Sequence, residues 1–229
     1  MKNLIFCSFL LFTLGCSSPE LDRDELIYSN TFETSTSTEI DGGLYTSFNG
    51  SQVIGNYNND GFTVHLEDLG NHEYVYVSFD LYIHGSWDGN FNGLDPDQPD
   101  LWVMELRPDT NMNTDNSFES FKTTFSNSPC FSNYCLRQSY PNEYPFENSP
   151  KRGASSANLG AMCVEPEKDK TTTKYTIEKG FRHSGDALFL RFYDELFQPN
   201  AIDANGESTE RCDESWSMDN LKIRVISYK

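Results

Sequence analysis

The ten residues 74–83, with the sequence YVYVSFDLYI, decide the fold class. Side chains of an extended chain alternate between its two faces, so every second residue shares a face. One face of this stretch is wholly apolar, with Val75, Val77, Phe79, Leu81 and Ile83. The other face carries tyrosines, a serine and an aspartate. This strict period of two predicts a long strand with one face in a core and the other towards solvent.

Shorter runs with the same alternation lie on both sides of this strand, at residues 62–66, 102–106, 188–192 and 221–225. Gly- and Asn-containing turns separate them, for example Asp60-Gly61, Asp88-Gly89 and Asn205-Gly206. No window shows the apolar stripe of a helix. Many short strands joined by such turns predict an all-β protein, an antiparallel two-sheet β-sandwich.

The charge of the chain narrows the classes of partner. The 229 residues carry a net charge of −18 at pH 7, and removal of residues 1–15 takes away one lysine, which gives −19. A protein that binds a phosphate backbone needs cationic side chains to release counterions. The composition therefore excludes nucleic acid as a partner.

The N-terminus predicts export. Lys2 precedes an apolar run over residues 4–12, which is too short to span a bilayer but has the length of a signal-peptide core. The run ends in Thr13-Leu14-Gly15-Cys16, which resembles the lipobox of bacterial lipoproteins and implies a signal peptide over residues 1–15 and a lipid anchor on Cys16. Thr13 stands where an aliphatic residue is usual, and ordinary signal-peptidase cleavage near the same site is the alternative.

The segment after the lipobox is acidic. Residues 19–25 read PELDRDE, which resembles the signal that sends Bacteroidota lipoproteins to the outer face of the outer membrane. The alternative is a solvated spacer without a targeting role. The sequence thus predicts a tether over residues 16–25 and one β-sandwich domain over 26–229, since such sandwiches commonly reach this size as a single unit.

The cysteines fit an oxidising compartment. Cys7 leaves with the signal peptide and Cys16 carries the lipid, so four cysteines remain for disulfides: Cys130, Cys135, Cys163 and Cys212. Four cysteines allow three connectivities. We favour Cys130 with Cys135, which close a small loop, and Cys163 with Cys212. A zinc site is the alternative, although the spacings lack a Cys-x-x-Cys pair and no histidine is close in sequence.

Three segments resemble a widespread family of bacterial extracellular β-sandwich, jelly-roll-like domains. They are SWDG at residues 86–89, HSGD at 183–186 and DESWSMDN at 213–220, and the resemblance extends from about residue 54 to 226. It implies that the first and last strands pair, which would bring Glu33 towards Asp219. Jelly-roll carbohydrate-binding modules often hold a structural calcium ion at that edge.

Calcium is the cation that the acidic residues favour. Glu33, Asp213 and Asp219 are the candidate ligands, because calcium prefers several oxygen atoms from carboxylates, carbonyls and water. The alternative is that Asp219 and Asn220 cap a turn through their own side chains. The sequence DPDQPD at residues 95–100 is a weaker candidate, since it lacks the spacing of an EF-hand.

Aromatic and cationic residues mark a candidate ligand surface. The loop over residues 131–146 is rich in tyrosine, and an aromatic ring can stack on a sugar. The candidate ligand-binding residues are Trp87, Tyr134, Arg137, Tyr140 and Tyr144. The alternative is ordinary aromatic packing.

Catalytic motifs are weak. The four histidines are scattered, without His-Glu-x-x-His, and residues 85–89 (GSWDG) lack the G-x-S-x-G spacing. The sequence therefore predicts a non-enzymatic, surface-exposed outer-membrane lipoprotein that binds a glycan or a surface protein in adhesion, with calcium as a structural ion. The alternatives are a polysaccharide-degrading hydrolase or lyase, which needs only two suitably spaced carboxylates, and a structural envelope protein.

Overall fold

The protein is described by a computed structural model over residues 19–34, 36–90, 98–107, 119–128, 130, 132, 134–163, 171–198, 201, 206 and 208–229. The predicted signal peptide, Cys16, Asp95 and Asp97 lie outside these residues. No helix in these ranges is long and apolar enough to cross a membrane.

Within the described ranges the chain forms twelve strands and one short helix. The elements in chain order are β1 (Leu21–Asn30), β2 (Ile40–Asp41), β3 (Tyr45–Phe48), β4 (Ser51–Tyr57), β5 (Gly61–Leu66), β6 (Tyr74–Gly85), β7 (Leu101–Arg107), β8 (Glu119–Thr124), β9 (Ser156–Leu159), β10 (Thr172–Arg182), β11 (Leu188–Glu195), α1 (Glu210–Asp213) and β12 (Glu214–Tyr228).

The strands form two antiparallel sheets, which confirms the predicted β-sandwich. In the described residues, sheet A has the order β3-β4-β12-β6-β10-β9, and β1 pairs with β12 beyond the end of β4. Sheet B has the order β2-β5-β11-β7-β8. The apolar face of β6 lies in the core, as its period of two predicts, and the two central strands β6 and β12 pair along nearly their whole length.

The first strand corrects the predicted tether. Residues 21–25 belong to β1, where Leu21 pairs with Tyr228 and Glu25 pairs with Val225. The prediction that residues 16–25 form a tether is therefore wrong for these five residues. The strand lacks an apolar period because both of its faces carry charged side chains, at residues 22–25. Arg23 is paired with Glu25, and Asp24 is paired with Arg224.

All three tryptophans are fully buried between the sheets. Trp216 on β12 donates its indole N–H to Asp194 Oδ1 on β11 at 2.7 Å, which ties sheet A to sheet B. Asp194 also accepts the backbone N–H of Asn59 at 2.7 Å and of Asp60 at 3.3 Å, in the turn between β4 and β5. Burial raises the pKa of Asp194 to about 6, and these donors oppose the rise.

The two disulfides join the pairs that the sequence favours. Cys130 is bonded to Cys135, and Cys163 to Cys212. The second bond links the segment that follows β9 to helix α1, 49 residues later. It joins the start of β12 to the segment that follows β9, the strand at one edge of sheet A.

Removal of β1 tests its place in the domain. A chain that starts at Ile27 loses the pairing of residues 21–26 with β12, so we expect its free energy of unfolding to fall by about 3 kcal/mol, since each net backbone hydrogen bond contributes about 1 kcal/mol. A chain that starts at Glu20 is the control and keeps full stability. Urea denaturation measures both, and equal midpoints would show that residues 21–26 are a tether after all.

Candidate functional site

The SWDG and DESW segments meet at one end of the sandwich. Glu214 pairs with Gly85 where β12 begins and β6 ends, and Trp87 donates its indole N–H to the carbonyl of Ser215 at 3.0 Å. Ser86 Oγ donates to Asp213 Oδ1 at 3.2 Å. These hydrogen bonds hold the two motifs together. Trp87 is fully buried, so the prediction that it contacts a ligand is wrong.

Gly89 lets a long loop pack against this end. It has a φ of +73°, and a Cβ at this position would lie 2.1 Å from the carbonyl oxygen of Arg137, so only glycine fits. The backbone N–H of Asn90 donates to the same carbonyl at 2.8 Å. This contact lies near the start of residues 134–153, which we call the platform loop.

A single buried glutamine organises the platform loop. Gln138 Nε2 donates to the carbonyls of Tyr140 and Arg152, each at 3.0 Å. Its Oε1 accepts the backbone N–H of Lys151 at 2.8 Å and of Ser126 at 3.2 Å. A fully buried amide with all of these partners fixes the backbone on both sides of the loop, since a lost bond would leave a buried group unsatisfied.

Two asparagines complete this inner layer. Asn148 Nδ2 donates to the carbonyl of Ser139 at 2.7 Å and of Tyr140 at 3.1 Å. Asn90 Nδ2 reaches across from the Gly89 turn to the carbonyl of Phe146 at 2.7 Å. Apart from isolated bridge residues, among them the pair Gln138 and Asn148, the platform loop has no regular secondary structure, and side-chain hydrogen bonds fix its backbone instead.

The outer side of the platform loop is exposed and partly aromatic. Tyr134 is 58% exposed and Phe146 is 47% exposed. Arg137 is also exposed, and its Nη1 donates to Ser149 Oγ at 3.2 Å. Tyr144 is half-buried, and its backbone N–H donates to the carbonyl of Lys122 on β8 at 2.8 Å. The predicted residues Tyr134, Arg137 and Tyr144 thus lie on an accessible surface.

Tyr140 lies on the inner side instead. It is buried, and its ring packs against Phe125 at 5.1 Å and Tyr175 at 5.0 Å between centroids. The prediction that Tyr140 binds a ligand is therefore wrong, and the alternative of aromatic packing holds. Burial raises the pKa of its hydroxyl.

A second polar group lies on the outer face of sheet A, around Asp80. Asp80 Oδ2 is 2.9 Å from both Lys174 Nζ and Asn220 Nδ2, and its Oδ1 accepts Thr176 Oγ1 at 2.7 Å. Burial alone would raise the pKa of Asp80, but these three hydrogen bonds outweigh it and the pKa is lowered. Both oxygen atoms of this carboxylate are therefore bonded within the protein.

Asp219 lies directly opposite Asp80 on the neighbouring strand. Burial raises the pKa of Asp219, and the charges of Asp80 and Glu33 add to the rise. Asp219 Oδ1 accepts the backbone N–H of Asn220 at 2.7 Å, in a bulge where Asn220 has a φ of +55°. This is the turn-capping alternative to a calcium ligand.

Asp213 lies elsewhere. It precedes β12, and the strand from Glu214 to Asp219 spans roughly 17 Å at about 3.3 Å per residue. Its Oδ1 accepts Ser86 Oγ, and its Oδ2 accepts Gln198 Nε2 at 3.3 Å. The structure therefore does not bring Glu33, Asp213 and Asp219 together. The described residues include no group of three or more His, Cys, Asp or Glu side chains that could hold a metal ion.

A buried histidine lies further along the same face of sheet A. His84 Nδ1 is 2.9 Å from Thr172 Oγ1, and its Nε2 is 2.7 Å from Ser217 Oγ, so the ring joins β10 to β12 across β6. The ring of Phe48 covers it at 4.8 Å between centroids. Burial lowers the pKa of His84 to about 3.

This shift makes the stability of the domain depend on pH. A histidine that is neutral in the folded state favours unfolding once the unfolded chain takes up a proton, so stability is present above about pH 6.5 and is lost as the pH falls towards 3. Between pH 7 and 4.5 we expect His84 to account for about 2 to 3 kcal/mol of the loss in unfolding free energy, at 1.36 kcal/mol per pKa unit. In His84→Gln this part of the loss disappears.

Urea denaturation at the two pH values measures it. His65→Gln is the matched control, because the His65 side chain is partly exposed, and it should behave like the wild type. An unchanged pH dependence in His84→Gln would mean that His84 is not held neutral.

Sequence reasoning missed the residues that build the platform loop. Gln138 and Asn148 are buried and Asn90 is half-buried, and polar residues of this kind in a loop have no period to reveal them. His84 did carry a signal, since it follows Tyr82 on the predicted polar face of β6. Gly89 was found as a turn residue, but its contact with Arg137 spans 48 positions of sequence.

No protein-family model and no curated protein matches this chain. Among solved structures, the carbohydrate-binding module CBM6cm-2 from Cellvibrio mixtus lichenase 5A, in complex with cellotriose, is 7% identical over 87% of this chain and 97% of that chain, with a TM-score of 0.32. The carbohydrate recognition domain of Emp47p is 12% identical over 92% and 99%, with a TM-score of 0.37.

The K2 adhesin domain of Lys-gingipain is similarly distant, at 13% identity over 87% of this chain and 97% of that chain, with a TM-score of 0.37. These likenesses are too remote to support an argument about function. The fold class rests on the two sheets themselves.

Proposed function

We propose that this protein is a lipid-anchored, surface-exposed β-sandwich that binds a glycan without catalysing its cleavage, through the outer side of the platform loop. The observation that carries the proposal is the contrast between the two sides of this loop. Its inner side is fixed by the buried amides of Gln138 and Asn148 and the half-buried amide of Asn90, while its outer side presents Tyr134, Phe146 and Arg137 to solvent.

Rigidity matters because a binding surface that is already ordered does not lose conformational entropy when the ligand arrives. Exposed aromatic rings are costly to leave in water, and a sugar ring offers an apolar face on which they can stack. Arg137 supplies hydrogen-bond donors for hydroxyl or carboxylate oxygen atoms. A long, exposed loop held this firmly is the kind of segment that carries binding residues.

The non-catalytic part of the proposal is supported by the state of Asp80 and Asp219. A glycosidase needs one carboxylate free to attack or to activate water and one free to donate a proton. Both oxygen atoms of Asp80 are bonded by Lys174, Asn220 and Thr176, and Asp219 accepts the Asn220 N–H. The hydrogen bonds of Asp80 join β6 to its neighbours β10 and β12.

Three finer features remain proposals from the sequence. Lipidation of Cys16 rests on the lipobox-like segment, and placement on the outer face of the outer membrane rests on the acidic residues that follow it. Calcium binding stays a sequence-based prediction. Lys174 already supplies a cation beside Asp80 and Asp219, which favours the capped turn over an ion at this position.

A glycan-array screen of residues 19–229, followed by titration calorimetry on the best ligand, tests the proposed function. We expect Tyr134→Ala, Phe146→Ala or Arg137→Ala to weaken binding by about tenfold or more for at least two of the three, because a stacked base or ring contributes roughly 1 to 3 kcal/mol when truncated to alanine. None of these exposed side chains is part of the core, so the melting temperature should stay unchanged.

Phe197→Ala is the matched control, since Phe197 is an exposed aromatic residue (39%) outside the platform loop. Its removal should leave binding unchanged. Binding that survives all three loop substitutions would place the ligand elsewhere, and release of reducing sugar from a bound polysaccharide, abolished by Asp80→Asn, would replace binding by hydrolysis as the function.

A further inference from the structure

The long strands give the domain two ends with different surfaces. At one end, which we call the anchor pole, β1 begins and β12 ends: Leu21 pairs with Tyr228, Tyr74 pairs with Ile226, and the backbone N–H of Lys229 donates to the carbonyl of Glu20 at 2.8 Å. The other end, the distal pole, is where β6 ends and β12 begins, with Gly85 opposite Glu214.

The platform loop begins at the distal pole. Ser128 Oγ donates to the carbonyl of Ser86 at 2.7 Å, and the Cys130–Cys135 disulfide follows directly. Arg137 is fixed there through the Asn90 N–H. Tyr134 and Arg137 are therefore separated from the anchor pole by the length of β6, whose 12 residues span roughly 36 Å.

The chain between Cys16 and the sandwich is shorter than this distance. Because β1 begins at Leu21, only five residue steps join it to Cys16, and a fully extended chain covers at most about 18 Å over that number. If the domain were inverted, with the distal pole on the membrane, Leu21 would lie roughly 36 Å above the surface. A lipid on Cys16 could not reach the bilayer from there.

We infer that the lipidated protein stands with its anchor pole towards the membrane and presents Tyr134 and Arg137 away from it. This inference rests on the proposed lipid anchor at Cys16. It makes the membrane the partner of the anchor pole and leaves the glycan surface turned to the medium.

The surface of the anchor pole is compatible with a bilayer at close range. Leu21 is half exposed, and Tyr74 and Tyr228 meet edge to face at 6.0 Å between centroids, where amphipathic rings suit a membrane–water interface. The three acidic side chains of β1 at this pole each have a cationic partner. Asp22 lies 3.5 Å from Lys229 Nζ, Glu25 lies 2.7 Å from Arg23, and Asp24 is paired with Arg224.

Energy transfer to the membrane tests the orientation. The full-length lipidated protein is reconstituted into phospholipid vesicles that contain an acceptor-labelled lipid, and a donor dye is attached through a noncanonical azide residue at Asn71 or at Glu210. Both side chains are exposed. Asn71 lies at the anchor pole, where its carbonyl accepts Arg23 Nη1, and Glu210 begins α1 at the distal pole.

We expect transfer from Asn71 to be at least about twice as efficient as from Glu210, since roughly 36 Å of strand separates the poles. A flexible Gly/Ser insertion of about 20 residues between Ser18 and Pro19 is the matched control, because a linker of this composition and length lets the domain tumble. It should bring the two efficiencies close together.

Vesicle flotation separates the two ways in which the idea can fail. If the wild-type protein floats no better than Cys16→Ala, the lipid anchor and the orientation are both wrong. If it floats and the two positions transfer equally, or Glu210 transfers more, the orientation alone is overturned. Glycan binding by the soluble domain is unaffected by either result.

Discussion

The hydrogen bond from the Trp216 indole to Asp194 is the interaction on which the rest of this structure depends. It crosses the core from sheet A to sheet B, and the same carboxylate receives two backbone N–H groups of the β4–β5 turn. An ionised carboxylate in this environment is stabilised only while its donors are in place, since an unpaired buried charge is costly. The sheets and the turn are thereby held in one arrangement.

A series of contacts leads from Trp216 in the core to the platform loop at the surface. Ser215, next to Trp216, accepts the Trp87 indole, and Trp87 fixes the turn that carries Gly89. Gly89 allows Arg137 to approach, and Asn90 binds the far side of the platform loop at Phe146. A continuous set of contacts, which begins in the core and ends at the surface, therefore leads to the exposed residues that we propose for glycan binding.

The strands could be predicted from the sequence because alternation is a local signal. The Cys130–Cys135 disulfide closes a small loop, and the favoured Cys163–Cys212 pair is what then remains. β1 could not be predicted, because an edge strand with charge on both faces lacks the apolar period, and only its pairing with β12 identifies it. The sequence predicts a surface over residues 131–146, but the division into inner Tyr140 and outer Tyr134 depends on Gln138 and Asn148. Likewise, Asp213 and Asp219 are close in sequence and far apart along an extended strand.

The same reasoning explains why aromatic content alone is a poor guide to a binding site. Trp87 and Tyr140 lie in the motif and the loop that carry the exposed residues, but each fills the core beneath them. The buried aromatic residues and the exposed ones have similar neighbours in the sequence. Only the direction of the backbone, set here by buried amides, distinguishes them.

The central claim is that the platform loop is as firmly ordered as the sheets. Native-state hydrogen exchange of the backbone N–H groups of Gln138, Tyr140 and Asn148 tests it most directly, because each donates to a carbonyl within the protein. Protection equal to that of β8 is the result that the structure predicts. Exchange as fast as that of an exposed loop would contradict it.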